Sequence, residues 1–466
     1  MTRGLMIFRQ DLRLQDNTAL SYALKQCQIL SYLFILDTTI LARGPTHDPR
    51  IAFVLDAVKN LEQDIKQRGG TLSVMYGDPV ACVIRFLTQY PCDHLFRNQS
   101  YGPGSLGRDI QLKDRATRNG IAVTITQDYL MVNPDEIPVR KIFSPFNKLW
   151  LKTLAGTHHP DALTTRSTRQ MQNGLFLCTT PHILPSGPSI NEWEKILADW
   201  PLTSHPHRSA DGWRQRFDQF AFGIYEETRN YPARDGSTRL SPYLRFGIVS
   251  PRMVYNHIVH IARNHPDDTT RTSCTTLLNE LAWREFWHHI AFHFPNTMTE
   301  AFQEKRRHIV WDCPAEWIER WEHGMTGFPL VDAGMRQLRQ ENWMHNRVRM
   351  VVASFFCKHM HGDRRVGEAI WARYLLDHDK AINMGNRQWS ASVGADPKPV
   401  RIFNPNIQLT KFDPMAAYIK KYIPELAAYS PKQLANPEIY DLTGSGYPPP
   451  MLSHAVQRAK TLALYR

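Results

Sequence analysis

Three short stretches hold residue types that can do chemistry together. In LLNELAWREFWHHI, residues 277–290, Leu278, Ala282, Phe286 and Ile290 recur every fourth position and predict the buried stripe of a helix. Glu280, Trp283, Arg284 and Trp287 fall on a second face by the i, i+3, i+4, i+7 rule. Two indoles beside a carboxylate and a guanidinium can stack on planar groups and pair with their polar edges. A boundary helix with snorkelling side chains gives the same pattern. The stretch NWMHNRVRMVVASFF, 342–356, repeats the arrangement, with Val348, Val351, Val352 and Phe355 as core and Trp343, Asn346, Arg347 and Met350 aligned apart from them. Two such helices point to a shared aromatic and amide-lined pocket. In AINMGNRQWSAS, 381–392, Arg387 stands two positions before Trp389. A guanidinium keeps its charge at any working pH, so it must face solvent, pair with an acid or face a ligand.

Other chemistries lack a frame. His289 and His293 have helix-ligand spacing, and Cys357, His359 and His361 lie close together, but no third ligand and no H-E-x-x-H accompanies them, so no metal is expected. There is no G-x-S-x-G elbow for nucleophilic hydrolysis. The first apolar run is followed by RQDLRLQDN, without G-x-G-x-x-G or a phosphate loop.

These stretches need a scaffold, and the rest of the chain describes one. With 466 residues, 42% of them hydrophobic, the chain can bury large cores and should divide into two or more units. Between 5 and 126, LMIF, ILSYLFIL, TLSVMY and IAVTIT alternate with amphipathic stretches, the rhythm of a parallel sheet wrapped by helices. Residues 130–205 are rich in Pro, Thr, Ser and His and predict a connector; from 206 onward helical spacing dominates. Lys and Arg number 56 against 44 Asp and Glu, a net charge of +12 spread along the chain. Such a surface suits a polyanion, nucleic acid first. The seven cysteines form no C-x-x-C pair, which predicts reduced thiols in a cytoplasm. No secretory h-region and no span long enough for a bilayer is present, so no membrane association is expected.

Six motifs in order, FRQDLRLQDN, GSTRLSPYLRFGIVSPR (236–252), NELAWREF (279–286), TGFPLVDAGMRQL (326–338), WMHNRVRM (343–350) and RIFNP (401–405), resemble the photolyase and cryptochrome family over nearly the whole chain. In character they are most similar to the class I cyclobutane pyrimidine dimer photolyases. The resemblance implies a Rossmann-like α/β N-terminal antenna domain over 1–130, a linker over 131–205 and an all-α FAD-binding catalytic domain over 206–466. It implies a carbon-carbon lyase, a deoxyribodipyrimidine photo-lyase, in which reduced FAD splits pyrimidine dimers in UV-damaged DNA by light-driven electron transfer. A cytoplasmic monomer is expected.

Carried over residue by residue, the resemblance assigns FAD binding to Tyr225, Ser237, Thr238, Arg239, Leu240, Ser241, Arg349, Asp377, His378, Asp379 and Asn383. Asp377 is expected to pair with Arg349, and Asn383 to face the flavin N5. GSTRLS also reads independently as hydroxyls and amides at a helix start, a cradle for pyrophosphate oxygens, although a plain N-cap looks the same. Catalytic roles fall to Glu280, Trp283, Asn346, Met350 and Asn383. DNA contacts fall to Arg229, Glu280, Trp283, Arg284, Trp287, Asn346, Arg347 and Trp389. The lesion must leave the duplex to reach the ring, and poor stacking at the damage lowers that cost. His345 followed by Asn346, where the (6-4) enzymes carry paired histidines, favours dimer repair.

The sequence departs from its family in two places. The family's three-tryptophan electron relay keeps Trp311, but the other two positions fall at Arg364 and Arg387, and a guanidinium is too hard to oxidise to donate an electron. Trp371, Trp321 and Trp389 are the expected substitutes. Glu368, one turn from Arg364, is the expected acid partner, with solvent exposure of both arginines the alternative. The second departure is SYGPGSLGRD, which places Gly104 and Ser105 where folate-binding members have Asn and Glu, an argument against a folate antenna. A deazaflavin, another flavin or no second chromophore stays open. The broken relay also leaves a second reading, a cryptochrome-like flavin photoreceptor with little or no repair.

Overall fold

The computed structural model describes residues 1–38, 48–157, 212–396 and 400–466. The chain opens with β1 (Arg3–Phe8), α1 (Thr18–Gln26), β2 (Ile29–Asp37), α2 (Pro49–Lys66), β3 (Leu72–Gly77), α3 (Pro79–Gln89), β4 (His94–Asn98), α4 (Pro103–Arg118) and β5 (Ala122–Thr126). The five strands are parallel in the order β3-β2-β1-β4-β5. Met6 in β1 sits opposite Tyr32 in β2 and Phe96 in β4. Parallel strands covered on both faces need near-continuous apolar runs, and β1 and β2 have them. On one face Leu5, Ile7, Leu33, Met75 and Leu95 pack with Val80, Val83 and Phe86 of α3. The helices start where short acids and amides accept backbone N–H groups: Asn17 from Leu20, Asp48 from Arg50 and Asp78 from Ala81.

Beyond the sheet the chain is helical: α5 (Phe143–Thr157), α6 (Gly212–Asp218), the single turn α7 (Tyr225–Thr228), α8 (Ser241–Arg245), α9 (Pro251–Asn264) and the long α10 (Asp268–His293). Then follow α11 (Ala315–Glu322), α12 (Pro329–Glu341), α13 (Asn346–Lys358), α14 (Arg364–Tyr374), α15 (Lys380–Ser390), α16 (Pro405–Phe412), α17 (Ala417–Tyr422), α18 (Pro431–Leu434) and α19 (His454–Leu464). Among the described residues two compact units emerge, those within 1–138, 148–219 and 239–264 in one and those within 139–147, 220–238 and 265–466 in the other. The expected linker carries α5 within 131–157, and its remainder, 158–205, lies outside the described residues.

In the first unit, residues 239–264 are tied to the sheet by a buried charge network. Asp128 accepts from Arg13 at 2.6 Å and from Arg252 at 2.7 Å, and Asp16 accepts from Arg252 at 3.1 Å and from the Ser250 hydroxyl. Burial alone would raise the Asp128 carboxyl, but Arg13 and Arg252 hold it well below the usual carboxylate range. At Gly247, φ is +64°, and a Cβ would sit 2.0 Å from the Gln10 carbonyl oxygen.

The core of the second unit gathers Trp321, Phe328, Val348, Val351, Val352, Phe355, Phe356 and Trp371 with residues from α16 to α19. Asp332, fully buried in α12, accepts from the Thr326 N–H at 2.8 Å, the Thr326 hydroxyl at 2.6 Å and the Gly327 N–H at 2.9 Å. The TGFPLVD motif is thereby a folded corner. Gln388 of α15 donates to the carbonyls of Thr297 at 2.7 Å and Glu300 at 2.9 Å, and accepts from the Phe302 N–H at 2.8 Å. Among the described residues no helix is long and apolar enough to cross a membrane.

Candidate functional site

The second unit brings α10, the turn at 225–231 and α13 together around Glu280. Arg229 donates to Glu280 at 2.6 Å and lies 5.3 Å from the centroid of the Tyr225 ring. Burial, with the nearby Glu280 charge, pushes the Tyr225 phenol far above its ordinary range. Arg347, in the first turn of α13, donates to the Asn230 side chain and sits 4.5 Å from the centroid of Phe412. Burial lowers its pKa, as does the Arg229 charge, while Glu280 offsets part of that. Asn346 is exposed and Met350 half-buried, with the Met350 sulfur 3.8 Å from Arg347. The Glu280 side chain is 35% exposed, which leaves its carboxylate reachable from outside.

The aromatic face of α10 is divided. Trp283 is half-buried and stacks on Phe143 with centroids 3.6 Å apart and planes 4° off parallel. Arg284 and Trp287 are buried instead, and Trp287 lies against Gly385, where a Cβ would come within 2.3 Å of the indole. Leu278 is half-buried, while Ala282, Phe286 and Ile290 form the core stripe. Trp343 precedes α13, which begins at Asn346 with His345 as its cap, so it shares no helix face with Asn346, Arg347 and Met350. Phe143 gave no signal in the sequence, because it stands in a stretch without periodicity.

A second cluster is built on the DHD segment and α15. Arg349 reaches both oxygens of Asp377, at 3.2 and 2.9 Å, a fork-on-fork pair. His378 bonds Glu368 at 2.8 Å. Asp379 caps α15, accepting from the N–H groups of Ala381 at 3.0 Å and Ile382 at 3.2 Å, with His288 Nε2 3.3 Å away. One turn into α15, Asn383 is 8% exposed and its Nδ2 has no hydrogen-bond partner among the described residues. A buried amide donor without an acceptor is costly, and its presence fits a site that receives a polar ligand. Trp389 lines a small pocket with Lys358, Ser392 and Arg401 among the other walls. Ser237 and Thr238 belong to the second unit and Arg239, Leu240 and Ser241 to the first. Arg239 has a φ of +49°, and the helix that follows runs only from Ser241 to Arg245 with no side-chain cap.

The two arginines at the relay positions are buried, Arg364 at 4% exposure and Arg387 at 1%, so neither faces water. Glu368 is not the partner of Arg364, since it is bonded to His378. Arg364 donates instead to the Met384 sulfur at 3.3 Å and the Thr299 carbonyl at 3.2 Å. The Arg387 guanidinium lies 3.7 Å from the centroid of Trp371, and Trp371 faces Trp321 at 6.5 Å with planes 10° apart. Trp311 is partly buried against the same core. The histidines set aside above make ordinary bonds: His289 accepts from the Arg140 N–H at 3.1 Å, His359 bonds His454 at 2.8 Å, and His361 bonds the Thr461 hydroxyl at 3.0 Å.

In the first unit, the strand order reverses beside β1, which opens the usual ligand crevice of such sheets. Acid–base pairs occupy the residues there. Asp109 takes Arg9 at 2.6 Å and Arg97 at 2.5 Å, and Arg108 bonds Asp37.

Comparison with known proteins accounts for both units. Residues 5–165 match the family model described as DNA photolyase, and residues 277–466 match the FAD binding domain of DNA photolyase. A deoxyribodipyrimidine photo-lyase of Synechococcus is 34% identical over 98% of this chain and 95% of its own. The crystal structure of a class III photolyase from Agrobacterium tumefaciens superposes with a TM-score of 0.85 at 29% identity, covering 100% of this chain and 97% of that one. A Synechocystis cryptochrome shares the fold with a TM-score of 0.84 at 23% identity, covering 100% and 99%. The α/β unit, the helical FAD-binding unit and the near-complete coverage of an enzyme relative have one reading: the chain belongs to the DNA photolyase family.

Proposed function

We propose that the protein is a deoxyribodipyrimidine photo-lyase that repairs cyclobutane dimers in UV-damaged DNA. The observation that carries this reading is the pair of clusters in the helical unit, Glu280 with Arg229 and Arg347 in one, and Arg349–Asp377 with the unpartnered Asn383 amide in the other. Bound FAD supplies the light absorption and the electron that no side chain can provide. Within the second unit Tyr225, Ser237, Thr238, Arg349, Asp377, His378, Asp379 and Asn383 hold it. The Arg349 cation, fixed by Asp377, favours negative charge on the ring, and Asn383 offers an amide that can donate or accept as the proton at the ring edge changes.

Glu280 and Asn346 read the polar edges of a flipped dimer, while Trp283 and Met350 give it an apolar wall. The Phe143 stack holds the Trp283 plane in advance, so less freedom is lost on binding. Arg229 and Arg347 hold the flanking strand; Arg284 and Trp287, buried on the same helix, support the pocket from behind, and Trp389 is a further DNA contact. The enzyme acts as a cytoplasmic monomer. The Arg9, Arg97, Arg108 and Asp109 pairs beside the crevice favour the absence of a folate there.

The test is direct. Flavin in the purified protein is reduced chemically, thymine-dimer DNA is added under blue light, and restored thymine is counted; repair is expected without any reliance on the relay. A second reading, a photoreceptor that signals without repair, draws on the arginines at two relay positions, and an absence of restored thymine in that experiment would select it.

A further inference from the structure

Arg387 occupies an aromatic cage. None of its three guanidinium nitrogens has a hydrogen-bond partner among the described residues. Trp371 lies 3.7 Å from its centre and Trp321 5.6 Å, and Phe356 packs 4.5 Å from Trp321. Gly367 makes the room, since a Cβ there would be 2.3 Å from Nη1. Burial pushes the guanidinium down to about 10, with the Cys357 thiol and Glu368 acting the other way, so it stays cationic at neutral pH. Ring faces attract a cation, most strongly when water is excluded. The stacked indoles therefore carry a permanent positive charge on their inner side.

We propose that Arg387 is a charge lock on the Trp371–Trp321 pair, keeping these stacked indoles from giving an electron to the flavin. The proposal rests on the reading of Asn383, one turn earlier on α15, as flavin-facing. When Trp371 loses one electron to the photoexcited oxidised flavin, its ring becomes a cation radical beside the guanidinium. Two like charges about 4 Å apart, at an effective dielectric near 20, shift that equilibrium by roughly a thousandfold against the separated pair. Loss of the indole proton would relieve the charge, but Nε1 of Trp371 and of Trp321 is buried with no hydrogen-bond partner among the described residues. Trp371 is thus a poor donor to the photoexcited flavin, and the first electron transfer into the pair is the step that Arg387 opposes.

The experiment uses the FAD-bound protein under blue light with dithiothreitol as terminal reductant, and follows loss of oxidised-flavin absorbance. Arg387→Met is expected to speed photoreduction by about tenfold or more, and Arg387→Lys to stay within about twofold of the parent, because the lysine keeps the charge. Trp371→Phe added to Arg387→Met returns the rate to the parent value. Transient absorption shows an indole cation radical in Arg387→Met and not in the parent. An Arg387→Met rate equal to the parent, or a gain that survives Trp371→Phe, overturns the lock. Trp371→Phe alone decides if the methionine variant loses its flavin: an unchanged rate supports the lock, and a slowing of about tenfold shows a pair already conducting and overturns it. Repair after chemical reduction, measured on the same samples, reports on the photo-lyase reading separately from these rates.

Discussion

At Gly367 the absence of a side chain and the presence of a charge are two halves of one feature. The Arg387 guanidinium fills the space where a Cβ would be, and the rings of Trp371 and Trp321 prevent it from moving aside. Gly367→Ala is expected to destabilise the protein by about 1–3 kcal/mol through overpacking, despite its gain in helix propensity. Denaturant unfolding checks this, and in an Arg387→Met background the penalty should shrink, because the methionine can yield. Asp377 makes a different kind of residue-scale prediction. Asp377→Asn leaves Arg349 with one weak acceptor in place of a charged fork, and FAD retention after gel filtration is expected to fall by about tenfold. Full flavin content in that variant would place the Arg349–Asp377 pair outside the cofactor site.

At the scale of elements, the predicted stripes of α10 and α13 are where the period placed them except at Leu278, which is half-buried: Ala282, Phe286 and Ile290, and Val348, Val351, Val352 and Phe355, are all buried. Periodicity reports which face meets a core, and it does so because burial averages over a whole helix. It does not report which side chain on the other face stays outside, so Arg284 and Trp287 read like Glu280 and Trp283 although they are buried. The Arg387 cage was illegible for a related reason. A search along one helix finds acids at i+4, whereas the cage is assembled from α11, α13 and α14, far apart in sequence. The C-terminal helix α19 shows what such distant pairing does to stability. His359 is fully buried, bonded to His454 at 2.8 Å, and burial holds it down to about 3 against an ordinary 6.5. Its folded value lies below its unfolded one, so the unfolded chain binds more protons between those two pH values. Stability is then full above pH 6.5 and falls on acidification, by roughly 1.4 kcal/mol per pH unit from this group. His359→Leu should flatten the acid limb of a melting-temperature profile below pH 6.5, and an unchanged acid limb would show that the pair carries no linkage.

For the whole molecule, the excess of +12 is a statement about association, and the pocket is a statement about selection. The two separate in their response to salt. Contacts to phosphates release counterions, so a protein that covers about six of them loses on the order of a thousandfold in affinity between 50 and 200 mM salt. That loss is the same for intact and for damaged duplex if both are held by the same backbone contacts. The proposed site predicts that discrimination comes instead from a flipped dimer enclosed among Glu280, Asn346, Trp283 and Met350, through stacking and hydrogen bonds that counterions touch little. Fluorescence anisotropy with matched duplexes, one carrying a single thymine dimer, is expected to give two parallel lines of log affinity against log salt. The vertical gap between the lines measures the pocket, and Glu280→Ala should narrow it without changing either slope. Lines that converge as salt rises would mean that the damage is recognised by charge along the strand, and the enclosed pocket would then have no part in choosing the substrate.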